Sequence, residues 1–215
     1  VKYHGTGNDF LVVDAAARVP DRAAFARVHC DRETGVSAAA RLEPTDLEAD
    51  ASVADTTNGR RGADGVLFVS VEAGYTPTRV IMTLVQPDGS TADMCGNGAR
   101  VVARWAHDQT GAHEFMIDTQ AGTRRATVSA DGREATIEMG VPRFDPRAVP
   151  VDADAPLVET PVEGLTVTAV DTGVPHAVSF LKPDEIDEVA IESVAPPVRH
   201  ASVFPEGANV NLAAI

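Results

Sequence analysis

The chain has 215 residues, with 32 acidic against 18 basic side chains and a formal net charge of −14. At ~100–200 residues per domain this allows one large domain or two small ones, and 44% apolar residues spread in short runs exclude a largely disordered chain. No run nears the ~20 apolar residues of a membrane helix, the start lacks a signal-peptide pattern, and a polyanion would be repelled, so the expectation is a cytoplasmic protein with neither membrane nor nucleic acid as partner.

The first strand is expected over residues 10–14, after a polar turn, Gly5-Thr6-Gly7-Asn8-Asp9. Pro20 and Asp21 then open an amphipathic helix, with Asp21 as N-cap and Ala24, Phe25 and Val28 on its apolar face. Residues 37–62 carry few large apolar groups and read as a surface insertion. Residues 65–71 and 79–85 read as buried strands joined through Gly74 and Pro77, and Pro87-Asp88-Gly89-Ser90 as a tight reversal. Met94-Cys95-Gly96-Asn97-Gly98 leads into a helix over 99–106 with Val101, Val102 and Trp105 at packing spacing. Strands over 113–119, 124–129 and 134–139 follow, the last two joined by a two-residue hairpin at Asp131-Gly132.

From 140 to 164 the chain is proline-rich and irregular, which marks a domain boundary. Strands are expected over 165–171 and 176–181, a helical region over 183–200 interrupted by Pro196 and Pro197, and a last strand over 208–215. Residues 6–13 are loosely echoed by 172–179, each followed by a helix and a further strand, which suggests two related halves.

Two cysteines are too few for a disulfide framework. Sixteen arginines against only Lys2 and Lys182 fit either a high-salt surface or a GC-rich genome. Cys95 carries the sharpest chemistry. It lies between a tight turn and a helix start, where glycines admit close backbone approach and unpaired N–H groups favour a carboxylate. The same field is expected to lower the thiol pKa, and a thiolate beside a bound carboxylate is placed to act as a base at the adjacent carbon. The plain alternative is a small residue packed under a glycine turn. Cys30, inside the first helix beside His29, reads as a structural thiol. Asn8 could bind a ligand or merely form its turn, and a lone His176 entering a strand is more often structural than catalytic. The six histidines lack metal-site spacing, Gly5-Thr6-Gly7 is not a dinucleotide fingerprint, and there is neither a phosphate loop nor a Gly-x-Ser-x-Gly elbow.

Taken together, the motifs resemble diaminopimelate epimerase. The carriers are Tyr3-His4-Gly5-Thr6-Gly7-Asn8-Asp9-Phe10, Gly62-Ala63-Asp64-Gly65-Val66, Pro87-Asp88-Gly89-Ser90 with Met94-Cys95-Gly96-Asn97-Gly98-Ala99-Arg100, then Gly173-Val174-Pro175-His176 and Phe204-Pro205-Glu206-Gly207-Ala208-Asn209-Val210-Asn211. The resemblance implies an α/β (α+β) fold of two pseudo-symmetric mixed-sheet domains, each wrapped around a central helix, with the active site in the cleft between them. It places an N-terminal domain at 1–139, with the insertion near 37–62, and part of a second at 140–215. It implies interconversion of LL- and meso-diaminopimelate, in lysine and cell-wall precursor synthesis, by two cysteines on opposite faces of the α-carbon. One removes the proton as thiolate and the other returns one as thiol, with no cofactor and no metal. Cys95 matches the first catalytic cysteine and His176 the histidine that tunes the pair. Gly96 and Asn97 match the backbone holding the α-carboxylate, and Asn8 and Asn209 match substrate-binding asparagines.

Three departures accompany the match. Val174 and Gln86 stand where substrate-binding asparagines are expected, Gln86 keeping the amide one methylene further out. The second catalytic cysteine and the Glu-Arg pair before it have no counterpart, and Val1 replaces an initiating Met, so the expectation is a trimmed epimerase: one complete domain and the opening of another. The implied partner is a small amino-acid substrate, and a homodimer stays open. The rival readings are a proline-racemase relative, which would carry His in place of Asn97; a phenazine-type isomerase, which would use a carboxylate; and a non-catalytic binding remnant.

Overall fold

The computed structural model describes residues 1–36 and 60–215, so the expected insertion lies almost wholly outside the described residues. The chain divides into two compact units, Val1–Glu138 and Met139–Ile215.

In the first unit, β1 (Lys2–Gly5) and β2 (Asn8–Asp14) form an antiparallel hairpin, with Gly5 opposite Asn8. The glycine-containing turn is thus a two-residue reversal, Thr6-Gly7, with φ of 50° and 88°; positive φ at both centres matches the twist of the flanking strands. β1 lay outside the sequence reading, because its residues, KYHG, carry little strand signal. The Asp21 carboxylate accepts from Ala24 N–H at 2.8 Å and caps α1 (Arg22–His29). Its buried face is Phe25, Ala26 and His29, one step round from the expected stripe.

β3 (Val66–Glu72) runs parallel to β2 and antiparallel to β4 (Thr78–Val85), and β5 (Thr91–Ala92) folds back on β4 after the Pro87-Asp88-Gly89-Ser90 turn. β3 packs on both faces. Phe68 meets Phe25 edge-on, with ring centroids 6.2 Å apart, while Leu67 faces Gly98 on the other side. That is why its sequence is a continuous apolar run. α2 (Gly96–Thr110) carries the chain to β6 (Glu114–Thr119), parallel to β4, and β7 (Gly122–Val128) and β8 (Ala135–Ile137) complete the sheet. The expected two-residue hairpin at 131–132 is instead a four-residue loop, closed by Ser129 N–H to the Glu134 carbonyl at 2.9 Å. Within it Gly132 N–H bonds the Ser129 carbonyl at 2.9 Å, so the turn centre is Ala130-Asp131 and not Asp131-Gly132, and the Asp131 carboxylate accepts from Ser129 Oγ and Arg133 N–H.

The sheet order is β1-β2-β3-β4-β6-β7-β8, with β5 off β4. The two outermost strands, β1 and β8, both pack on α2. A sheet whose two edges touch one helix must curl around it, so α2 is the hub of this unit.

The second unit is built on a four-stranded sheet, ordered β12-β11-β10-β9: β9 (Thr160–Val162), β10 (Leu165–Asp171), β11 (Pro175–Leu181) and β12 (Asn209–Ala214). Its core gathers Val149, Val151, Leu157, Val167, Ala169, Ala177, Val198 and Phe204. The expected helical stretch contracts to α3 (Ile191–Arg199), which runs unbroken through Pro196 and Pro197. Pro196 and Pro197 lie beyond its first turn and remove the two amide bonds that would run to the Glu192 and Ser193 carbonyls; fully buried Val198 anchors the last turn, where the His200 N–H still bonds the Pro196 carbonyl.

The echo between halves has a structural counterpart. β1-β2-α1-β3 and β10-β11-α3-β12 are each an antiparallel hairpin, a helix, and a strand returning parallel to the hairpin's second arm. Among the described residues, no helix is long and apolar enough to cross a membrane.

Candidate active site

Cys95 is the N-cap of α2. Its backbone is extended (φ −146°, ψ 110°) and its Sγ accepts the Gly98 N–H at 3.3 Å. The helix starts three residues further upstream than the apolar spacing predicts, because Gly96-Asn97-Gly98 lacks apolar residues yet takes helical geometry. Gly98 is required by proximity: a Cβ there would lie 3.1 Å from Leu67 Cδ2 and 3.5 Å from Cys95 Sγ.

The thiol does not behave as the sequence suggests. Burial pushes it above its ordinary value, and the Gly98 and Asn97 N–H groups and Arg100 only partly offset this, while Asp64 adds to the rise. The helix N-terminus acts in the expected direction, but desolvation of a largely enclosed sulfur outweighs it. The resting form is the thiol.

Above this cap lies a file of hydrogen bonds from three elements. Arg100 Nη1 donates to Thr6 Oγ1 at 2.9 Å, Thr6 Oγ1 to Asn97 Oδ1 at 2.8 Å, Asn97 Nδ2 to Asn8 Oδ1 at 2.7 Å, and Asn8 Nδ2 to Asp64 Oδ2 at 3.0 Å. The hairpin turn is what brings Thr6 and Asn8 to α2. Thr6 holds a positive φ that β-branched residues avoid, and its two hydroxyl bonds offset that strain.

The file ends in a cluster of charges. Arg32 grips Asp9 through Nη1 at 3.0 Å and Nη2 at 2.6 Å and also pairs with Asp64, while Lys2 Nζ sits 2.8 Å from Asp9. Burial works to raise the Asp9 carboxyl, but the Arg32 and Lys2 contacts prevail and hold it well below the usual carboxylate range. Asp64 also accepts the Asp9 N–H at 3.0 Å.

Cys95, Gly96, Asn97 and Asn8 are therefore brought together. Gln86 stands apart in the β4–β5 turn, exposed, its amide donating to Ser90 Oγ at 3.2 Å. His176 and Asn209 belong to the second unit, where they are register partners on β11 and β12. His176 Nδ1 lies 2.7 Å from Asn211 Oδ1; an amide oxygen only accepts, so Nδ1 carries the proton. Asn209 Oδ1 accepts from Arg199 Nη1 at 3.5 Å. Cys30 is sealed in the α1 core at 1% exposure, its thiol pushed up to about 12 by burial.

Sequence reading missed the roles of Thr6, Asp64, Arg100 and Asn211. Asn211 had a usable signal, since the Asn-Val-Asn alternation puts it on the face of Asn209. Asp64 lay within a quoted motif, but nothing local tells that it meets Asn8.

Comparison with known proteins places these features in context. A family model for diaminopimelate epimerase matches residues 40–144. Across 98% of its length the chain is 37% identical to a diaminopimelate epimerase of Methanothrix thermoacetophila and 36% identical to one of Methanocella arvoryzae, covering 67% of each. A diaminopimelate epimerase of Rhodospirillum centenum is 30% identical over 100% of the chain, which covers 65% of it. Among solved structures, a predicted epimerase from Pseudomonas aeruginosa shares the fold at a TM-score of 0.53 and 14% identity, with 96% of this chain and 64% of that one covered. The mixed α+β architecture with its curled sheet is therefore that of the epimerase fold.

Proposed function

The chain belongs to the diaminopimelate epimerase family, and from that premise we propose that it takes part in cofactor-independent inversion at the α-carbon of diaminopimelate, with Cys95 as one of the two acid–base groups. The family is one of isomerases, and the curated relatives extend beyond the two thirds of their length that this chain spans.

The observation that carries the reading is the position of Cys95: a sulfur at the cap of a 15-residue helix, beside the backbone of Gly96 and Asn97 and the amides of Asn8 and Asn97. Removing an α-hydrogen leaves negative charge that delocalises into the carboxylate. First-turn N–H groups aimed at that carboxylate stabilise the charge as it develops, without reorganisation. Gly96 and Asn97 supply that backbone, Asn8 and Asn209 bind polar ends of the substrate, and Gln86 takes the place of a further amide. His176, with Nδ1 protonated toward Asn211, presents Nε2 as an acceptor that can hold or pass a proton. Because Cys95 rests as a thiol, it must give up its proton before acting as a base; in its resting form it is the proton donor for the reverse direction. The second acid–base group is not Cys30, which is buried under α1.

Alkylation tests this. Iodoacetamide is expected to label Cys95, and LL- or meso-diaminopimelate to protect it, while Cys95→Ala removes the labelled peptide. Labelling that is indifferent to diaminopimelate at millimolar concentration would overturn the assignment.

A further inference from the structure

We propose that Asp64 and Arg100 are positioning residues, which fix the direction of the Asn8 and Asn97 amides so that each keeps an N–H for an anionic group of the substrate. The inference rests on the reading of those asparagines as substrate-binding.

A side-chain amide is nearly symmetric in shape, and a half-turn exchanges its donor for its acceptor, so an isolated asparagine has no preferred sense. Here the file has one sense throughout: Arg100 to Thr6 to Asn97 to Asn8 to Asp64. Its first member is a guanidinium, which can only donate, and its last a carboxylate, which can only accept. Turning either amide alone would set oxygen against oxygen or N–H against N–H. The Asp64 carboxylate therefore sets the polarity of both amides, and Arg100, by donating to Thr6, leaves the Thr6 hydroxyl proton for Asn97 Oδ1. Each Nδ2 spends one N–H on the next member and retains a second. Asp64 is itself held, by the Asp9 N–H on Oδ2 and by Arg32 on Oδ1, so the acceptor end cannot swing away.

Asp64→Asn keeps the shape but lets the terminus donate, so the file can run backwards and present oxygens to the substrate. Arg100→Gln offers the Thr6 hydroxyl a second acceptor, so Thr6 can turn its O–H away from Asn97 Oδ1 and loosen that amide, whereas Arg100→Lys stays donor-only. Loss of one well-made hydrogen bond to a charged group corresponds to about tenfold in affinity. The diaminopimelate concentration giving half-protection of Cys95 is therefore expected to rise about tenfold in Asp64→Asn and in Arg100→Gln, and to stay within about twofold in Arg100→Lys.

The thiol supplies an independent readout. Asp64 holds the Cys95 thiol up and Arg100 draws it down. The pH profile of substrate-free alkylation should thus move to lower pH in Asp64→Asn and to higher pH in Arg100→Gln, while binding weakens in both. General damage to the site would not shift the profile in opposite directions. If Asp64→Asn does not fold, as judged by circular dichroism, the Arg100 pair decides alone. Protection in the original protein with unchanged half-protection in Asp64→Asn and Arg100→Gln overturns the relay and leaves the functional reading standing. Absence of protection in the original protein defeats that reading, and the inference falls with it.

Discussion

The two cysteines show how burial divides one residue type between chemistry and structure. Cys95 touches the first turn of α2 and remains partly exposed, whereas Cys30 has no such opening and its thiol is pushed up to about 12. Cys30 has a consequence for stability. Below pH 9 the thiol is protonated in both folded and unfolded chains. Between about 9 and 12 the unfolded chain loses that proton while the folded chain keeps it, so the unfolded state binds fewer protons and stability falls as pH rises. Each pH unit in that window removes at most ~1.4 kcal/mol. Cys30→Ala is expected to flatten this alkaline limb in urea titrations at pH 8 to 11. The slope left over belongs to Cys95 and to Tyr3, whose hydroxyl burial and Asp108 push up to about 12. An unchanged slope would mean that Cys30 is not enclosed as described.

At the scale of the element, α2 joins the sheet's centre to the site, and its cap carries a conflict. Serine is among the best N-caps and cysteine is not, because sulfur is a weak acceptor. Cys95→Ser is therefore expected to stabilise the first unit by up to ~1 kcal/mol while abolishing alkylation, and Cys95→Ala to lower stability by about as much. Thermal melts of the three proteins check the order Ser above Cys above Ala; a serine variant less stable than the original would show that Sγ packing, not capping, sets the energy. The same helix shows what a sequence can disclose. Its apolar spacing at Val101, Val102 and Trp105 was legible because the 3.6-residue period leaves a mark. Its first turn was not, because Gly-Asn-Gly has the composition of a loop and becomes helical only where Cys95 caps it. Strands β3, β4 and β10 were plain from their β-branched runs. β1, polar and four residues long, forms because Thr6-Gly7 turns it back onto β2. Asn8, Asn97 and Cys95 were named from motifs, but their union with Asp64 and Arg100 depends on pairings 56 to 94 residues apart, which no local pattern encodes.

Across the whole molecule, charge is unevenly shared. Met139–Ile215 carries twelve acidic and four basic side chains, a net of −8 in the smaller unit, while the first unit holds −6. The first unit also neutralises its burden locally, through Arg32 with Asp9 and Asp64, Arg79 with Asp118, and Arg104 with Asp108. The second has few such pairs among the described residues, Arg143 with Asp171 and Lys182 with Glu185. Like charges on a compact surface repel, and that repulsion is relieved on unfolding, so it subtracts from stability. Salt shortens its reach: the Debye length falls from ~30 Å at 0.01 M to ~10 Å at 0.1 M, so repulsion across a small unit is largely removed. Hydrogen exchange at 10 mM and 500 mM NaCl is therefore expected to show slower exchange at high salt, with the larger gain in β10, β11 and β12. A gain of about 1 kcal/mol in a unit of this size would raise its melting midpoint by ~4–8 °C. The opposite ordering, with the greater gain in β2, β3 and β4, would mean that the first unit's ion pairs do not offset its charge and that net charge is not what limits the second.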